Sequence, residues 1–98
     1  MTNAEMADVF TDIAEMLKLK KDNIFKIRAY QKAARSIMEL REPLYKLAAE
    51  KRLKEIPGAG EAITKKIIEM VNTGKLAYYE KLKAEFPERT PASGSGVK

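Results

Sequence analysis

Met6, Val9, Phe10, Ile13 and Leu17 recur at steps of three and four residues and lay one apolar stripe along a helix. Thr2 followed by Glu5 is the pattern of a capping box at its start. Asp22-Asn23 interrupts the periodicity and supplies a cap for a second helix, whose stripe reads Ile24, Ile27, Tyr30, Ala34, Ile37 and Met38. Pro43 suits the first turn of a third helix reaching about Glu50, where its missing amide costs nothing. A short helical run from Arg52 to Ile56 follows. A longer helix, Glu61 to Asn72, then carries Ile63, Ile67, Met70 and Val71 on one side. Thr73-Gly74 stops it, glycine being the usual residue just past a helix end. Leu76, Tyr79, Leu82 and Phe86 make a last amphipathic helix. Alternation at period two is missing, and so is any internal repeat. The pattern predicts an all-α fold over residues 1–86, a small bundle of four main helices plus a short one. Pro87 ends the order, and Thr90-Pro91-Ala92-Ser93-Gly94-Ser95-Gly96 is too poor in apolar groups to pack, so residues 87–98 are expected to form a flexible tail.

Ile56-Pro57-Gly58-Ala59-Gly60 separates the short run from the helix after it. Two glycines one residue apart let the backbone turn tightly and come close to a partner, since neither carries a Cβ. The following helix begins with unpaired amide N–H groups and with the positive end of its dipole facing out of the turn. That is an anion site made of backbone, suited to a phosphate. With the short run before it, the segment from about 51 to 73 reads as a helix-hairpin-helix, a module that grips nucleic-acid backbone without reading bases. The plainer reading is a glycine-containing turn between two helices, and the short motif alone does not separate the two.

Charge adds to the first reading through its distribution. The net charge is +5, yet residues 1–17 carry Glu5, Asp8, Asp12 and Glu15 and no base. Residues 18–35 carry seven bases (Lys18, Lys20, Lys21, Lys26, Arg28, Lys32 and Arg35) against Asp22 alone. The remaining excess of bases falls mostly on the hairpin region. Clustered bases are the footprint of a nucleic-acid or phosphate binder, although a solvated lysine-rich surface has the same composition. Cysteine and histidine are both absent, which removes disulfides, zinc clusters, cysteine nucleophiles and histidine acid–base chemistry together. No basic stretch leads into an apolar run at the amino terminus, so no secretion signal is read and a cytoplasmic protein is expected.

The nucleophile left to such a chain is lysine. Projected at 100° per residue, Lys66 lies beside Ala62 and Met70 at the edge of the apolar stripe, whereas Lys65 lies well round towards solvent. On the second helix Lys26 and Tyr30 are one turn apart and flank the stripe, while Arg28, Lys32 and Arg35 point away from it. A lysine half against the core and near other cations loses some preference for its charged form and becomes a better amine nucleophile, able to form a Schiff base with an aldehyde. Alternatively, Lys66 buries its methylene stem and extends its ammonium to water.

The run NAEMADVFTDIAEMLKLKKDNIFKIRAYQKAARSI, followed by LKEIPGAGEAITKKIIEMVNTGKL, resembles the amino-terminal domain of family X DNA polymerases, especially the bacterial and archaeal branch. The likeness spans about residues 3 to 86, and the two motifs at their separation carry it together. It implies a helical domain that binds gapped or nicked DNA at its 5′-phosphate. In DNA polymerase beta-like members it also implies removal of an abasic sugar phosphate by lyase chemistry. The family's Schiff-base lysine falls on Lys66, its phosphate-contacting lysines on Lys26 and Lys54, and its pocket tyrosine on Tyr30. Gly58, Ala59 and Gly60 fall on the hairpin that meets DNA. The resemblance implies no cofactor beyond a monovalent cation that the hairpin would hold with DNA bound, and no metal. Two positions depart from the pattern. Ala62 stands where polymerase beta-like members have a lysine, and Phe25 where they have a histidine, so the phosphate pocket is poorer in charge. The polymerase palm with its metal-binding aspartates is not in this sequence, and DNA synthesis is not expected.

The sequence therefore points to a monomeric, non-sequence-specific DNA-binding domain with no membrane partner. The rival is a protein-interaction module in which the acidic first helix or the Leu76–Phe86 helix docks on another protein. The position of the basic clusters beside the hairpin favours DNA.

Overall fold

Thr2 caps the first helix as the sequence predicts. Its hydroxyl accepts from the Glu5 amide at 3.1 Å, and the Glu5 carboxylate accepts from the Thr2 amide at 2.7 Å. In this computed structural model, which describes residues 1–87, helix α1 runs Asn3–Leu19. Its buried face is wider than one stripe, since Ala7, Ala14 and Met16 are buried along with Met6, Val9, Phe10, Ile13 and Leu17. The cause is that α1 packs against two neighbours, α2 (Ile24–Met38) and α5 (Ala77–Ala84).

Asn23 caps α2 by accepting from the Phe25 amide at 2.7 Å. Ile27, Tyr30, Ala34 and Ile37 are buried as expected, and Ala33 joins them. Ile24 and Met38 do not: they are 50% and 61% exposed. They are the first and last residues of α2, where a periodic stripe runs past the neighbour that would cover it.

Helix α3 (Leu44–Ala49) begins one residue after Pro43, which sits at the cap and not in the first turn. Its opening is capped from a distance. The Asn3 side chain accepts from the Leu44 amide and donates to the Glu42 carbonyl, both at 2.8 Å. Helices α1 and α3 end in the same way. Lys21 and Lys51 each adopt a left-handed φ of 59°, and the next residue's amide reaches back to close the turn, Asp22 to Leu17 and Arg52 to Leu47. This is the Schellman ending, with lysine where glycine is usual.

A single 3₁₀ turn, Leu53–Glu55, leads to the hairpin, and α4 (Glu61–Thr73) follows. Gly74, at φ 75°, ends α4 in the left-handed region as its position predicts. The Glu69 carboxylate then accepts from the Ala77 amide at 2.8 Å and caps α5. Helices α1 to α5 feed one core among the described residues, whose large members include Phe10, Ile13, Leu17, Ile37, Leu44, Ile67, Met70 and Leu76. Asp12, one of the four acidic residues of positions 1–17, is fully buried, and the Tyr79 hydroxyl donates to it at 2.7 Å.

Arg52 ties α3 to the 3₁₀ turn. Its guanidinium meets both oxygens of Glu42 at 3.1 and 3.2 Å, both oxygens of Glu55 at 3.0 Å, and Glu50 at 2.6 Å. Arg52 holds the carboxyls of Glu42 and Glu55 below the usual range, with Lys46 adding to the effect on Glu42. Among the described residues no strand occurs, and no helix is long and apolar enough to cross a membrane. The predicted tail falls, from residue 88 onward, outside the described residues.

Candidate nucleic-acid interface

The hairpin is a tight turn with one residue in left-handed backbone. The Ala59 amide donates to the Ile56 carbonyl at 3.1 Å, with Pro57 and Gly58 between them and Gly58 at φ +84°. Proline followed by a residue of positive φ is the signature of a type II turn, which demands glycine at its third position. Gly60 differs from the expectation for a paired glycine. Its φ of −74° suits any residue, and a Cβ there would meet nothing within 4 Å. The turn is steadied from α2, where the Ser36 hydroxyl donates to the Pro57 carbonyl at 2.8 Å.

Gly60 caps α4, and the first ladder bond runs from the Thr64 amide to the Gly60 carbonyl at 2.9 Å. The amides of Glu61, Ala62 and Ile63 precede that bond, and no side chain caps them. The one carboxylate nearby, on Glu61, turns to Lys65 at 3.4 Å instead. Three N–H groups and the positive end of a thirteen-residue helix thus face an open cleft of about 530 Å³ lined by Lys54, Ala59, Gly60, Glu61, Thr64 and Lys65. Lys54 belongs to this cleft and stands apart from the other lysines that the resemblance singled out.

Those others gather on the α2 and α5 side. Lys66 is half-buried, as its edge position predicts, while Lys65 is exposed. The Lys66 ammonium lies 4.9 Å from the centre of the Tyr78 ring, Tyr78 stacks on Tyr30 at 6.3 Å, and Tyr30 packs on Phe10 at 5.7 Å. Burial, and then the neighbouring Lys26 ammonium, hold Lys66 below the usual lysine range, with Glu69 opposing. Burial pushes the Tyr30 hydroxyl well above the usual tyrosine range. Lys26 is paired with Asp22 at 3.6 Å, and both line a smaller hollow of about 200 Å³ with Lys20, Tyr78 and Lys81.

Lys26, Tyr30 and Lys66 therefore come together, whereas Lys54 and the hairpin residues form a second group across α4. Tyr78 is the member that sequence reasoning missed. Its signal was the doublet Tyr78-Tyr79: only Tyr79 continues the core stripe, which leaves its neighbour at the boundary beside Lys66. Ala62 is exposed in the first turn of α4, and Phe25 is 74% exposed at the start of α2, so neither residue disturbs the core.

The helix-hairpin-helix domain family has a model that matches residues 1–76, from the capping box of α1 through the hairpin and α4 to Leu76, two residues past its glycine stop. With the type II turn, the open helix start and that match in hand, the chain belongs to the helix-hairpin-helix domain family.

Proposed function

We propose that this domain binds DNA through its backbone, without sequence preference, and that it favours gapped or nicked duplex with a 5′-phosphate. The observation that carries the reading is the set of three uncapped amides at Glu61, Ala62 and Ile63, facing a cleft beside the Gly58 turn. Phosphate contacts of this kind position a protein on nucleic acid and carry no sequence information. A monovalent cation fits the same reading. The carbonyls of Ile56, Pro57 and Gly58 each accept one hydrogen bond, which leaves each a lone pair to share with a cation at a DNA phosphate.

The second basic group supports a place for the 5′-terminal phosphate: Lys26 as the cation, with Tyr30 and Tyr78 as the aromatic wall. Lys66 deepens the proposal to chemistry. A lysine held below its usual range offers more free amine at neutral pH. The amine adds to the C1′ aldehyde of a ring-opened 5′-deoxyribose phosphate, and loss of water gives an iminium. A proton leaves C2′, the C3′–O bond breaks, and a 5′-phosphorylated strand departs. Water then hydrolyses the iminium and frees Lys66.

The test is binding to a gapped duplex across a salt series. Affinity falls steeply between roughly 50 and 200 mM salt, and a 5′-phosphate at the gap binds better than a 5′-hydroxyl. Gly60→Val is the clean probe of the hairpin, because the position has room and an ordinary φ, so the fold persists while the added methyls stand in the cleft. Lys26→Ala erases the preference for the phosphate end and leaves duplex binding in part. Affinity indifferent to salt and to Gly60→Val overturns the hairpin as the contact.

A further inference from the structure

The hairpin has a neighbour on α2 that its sequence motif does not include. A Cβ built on Gly58 would lie 2.9 Å from both Cγ and Cδ of Lys32 and 3.3 Å from its Cε. The Lys32 stem is therefore laid across the left-handed residue of the turn. Ser36, one helical turn further along the same face of α2, donates to the Pro57 carbonyl. The two contacts fix α2 to the hairpin, and they bring the Lys32 ammonium, one bond beyond Cε, to the turn itself.

That ammonium has no carboxylate within 4 Å among the described residues, unlike Lys26 with Asp22 or Lys65 with Glu61. Methionine or leucine would cover the turn equally well. A lysine in this place combines a stem laid against Gly58 with a charge that no carboxylate neutralises, at the turn that leads into α4. Fixing a free lysine on a phosphate costs rotamer entropy, and here part of that freedom is already lost in the folded protein.

Resting on the reading of the hairpin as a phosphate grip, we propose that Lys32 is a third element of that grip. It supplies from α2 a cation to the same DNA phosphate that the α4 amides receive, so the site is shared between two helices distant in sequence. Gly58 is then required twice, for its backbone conformation and for the room it leaves the Lys32 stem.

The experiment measures affinity for a duplex with a one-nucleotide gap and a 5′-phosphate, across a salt series, for the parent protein, Lys32→Met, Lys32→Arg and Arg35→Met. Lys32→Met keeps an unbranched stem and removes the charge. Arg35→Met removes the same charge from the side of α2 that faces Thr11 and Glu15 of α1. Losing one phosphate contact lowers the slope of log affinity against log salt by about 0.9, so the deficit of Lys32→Met shrinks about threefold between 50 and 200 mM. The expected result is that change in Lys32→Met, a parental slope in Lys32→Arg and in Arg35→Met, and one melting temperature for all. An unchanged slope in Lys32→Met, or an equal change in Arg35→Met, overturns the proposal. If Gly60→Val weakens binding and Lys32→Met does not, the hairpin reading stands and Lys32 alone is excluded. A parent protein that shows no salt-dependent binding removes both.

Discussion

The Lys66 ammonium sits over the face of Tyr78, 4.9 Å from the ring centre. Two influences oppose each other there. The ring's negative face favours the charged amine, whereas burial and the Lys26 cation favour the neutral one. The second pair prevails in direction, so the lysine that lies over Tyr78 holds its proton less firmly than a lysine ordinarily does.

Lys66 is therefore expected to titrate below the usual lysine range. In the ¹³C-methyl NMR spectrum of the reductively methylated protein, one resonance should move at lower pH than the rest and vanish in Lys66→Arg. Lys26→Ala should shift that resonance upward, though not fully, because burial remains the larger cause. The linkage has a sign. A base whose pKa is lowered by folding burdens the folded state wherever it is charged there, and the burden is relieved as pH rises through its folded value. Lys66→Met should therefore melt higher than the parent at pH 7, with the gain narrowing toward pH 10. A Lys66 resonance indistinguishable from the exposed lysines contradicts the site as described.

Borohydride reduction in the presence of a gapped duplex bearing 5′-deoxyribose phosphate should trap a covalent protein–DNA adduct. Lys66→Ala should remove most of it and Lys65→Ala should not, since Lys65 is exposed and paired with Glu61. Lack of any adduct, or equal loss in both variants, leaves a binding domain without lyase chemistry.

Arg52 should govern the acid end of the stability profile. The carboxyls of Glu42 and Glu55 are held down in the folded protein, so their contribution is present above the unfolded value and is lost as pH falls through the lower folded one. Melting temperature should drop from about pH 5 toward pH 3. In Arg52→Met the curve should start lower and fall less over that range, with the Lys46–Glu42 pair at 3.0 Å preserving part of the slope. Parallel curves for the two proteins would show that the clamp does not set the acid transition.

The left-handed lysines offer gains in stability. Lys51→Gly relieves the Cβ strain of a φ of 59° at the end of α3 while giving the unfolded chain more freedom. The net gain expected is about 0.5–1 kcal/mol, a few degrees in melting temperature for a domain of this size. Lys51→Ala keeps the strain and should gain nothing. Chemical denaturation of the three proteins compares them directly, and a loss on Lys51→Gly would mean that the lysine side chain outweighs the backbone.

Local rules made much of this legible from sequence. Periodicity placed α1, α2, α4 and α5, the capping box of Thr2 and Glu5 formed, Gly74 ended α4, and Lys66 took its boundary position. What escaped depends on residues far apart in the chain. Asp12 is buried because Tyr79 reaches it from α5, 67 residues on, and nothing within a helical window signals that. Lys21 and Lys51 carry no glycine signal at all, although each ends a helix. The lysine group is assembled across helices: Tyr78 brings α5 against α2 and α4, and a projection of any single helix does not contain it.

The Asn3 amide reaches further than its place at the start of the chain suggests. It grips the backbone at Glu42 and Leu44, the Glu42 carboxylate grips Arg52, and Arg52 grips Glu55 on the 3₁₀ turn before Gly58. From the other direction Ser36 holds Pro57. The hairpin is thus no transplantable loop. Cut out as a peptide, residues 51–73 would lose both anchors, and trimming the amino terminus past Asn3 would slacken a bracing that ends some fifty residues away, at the Gly58 turn.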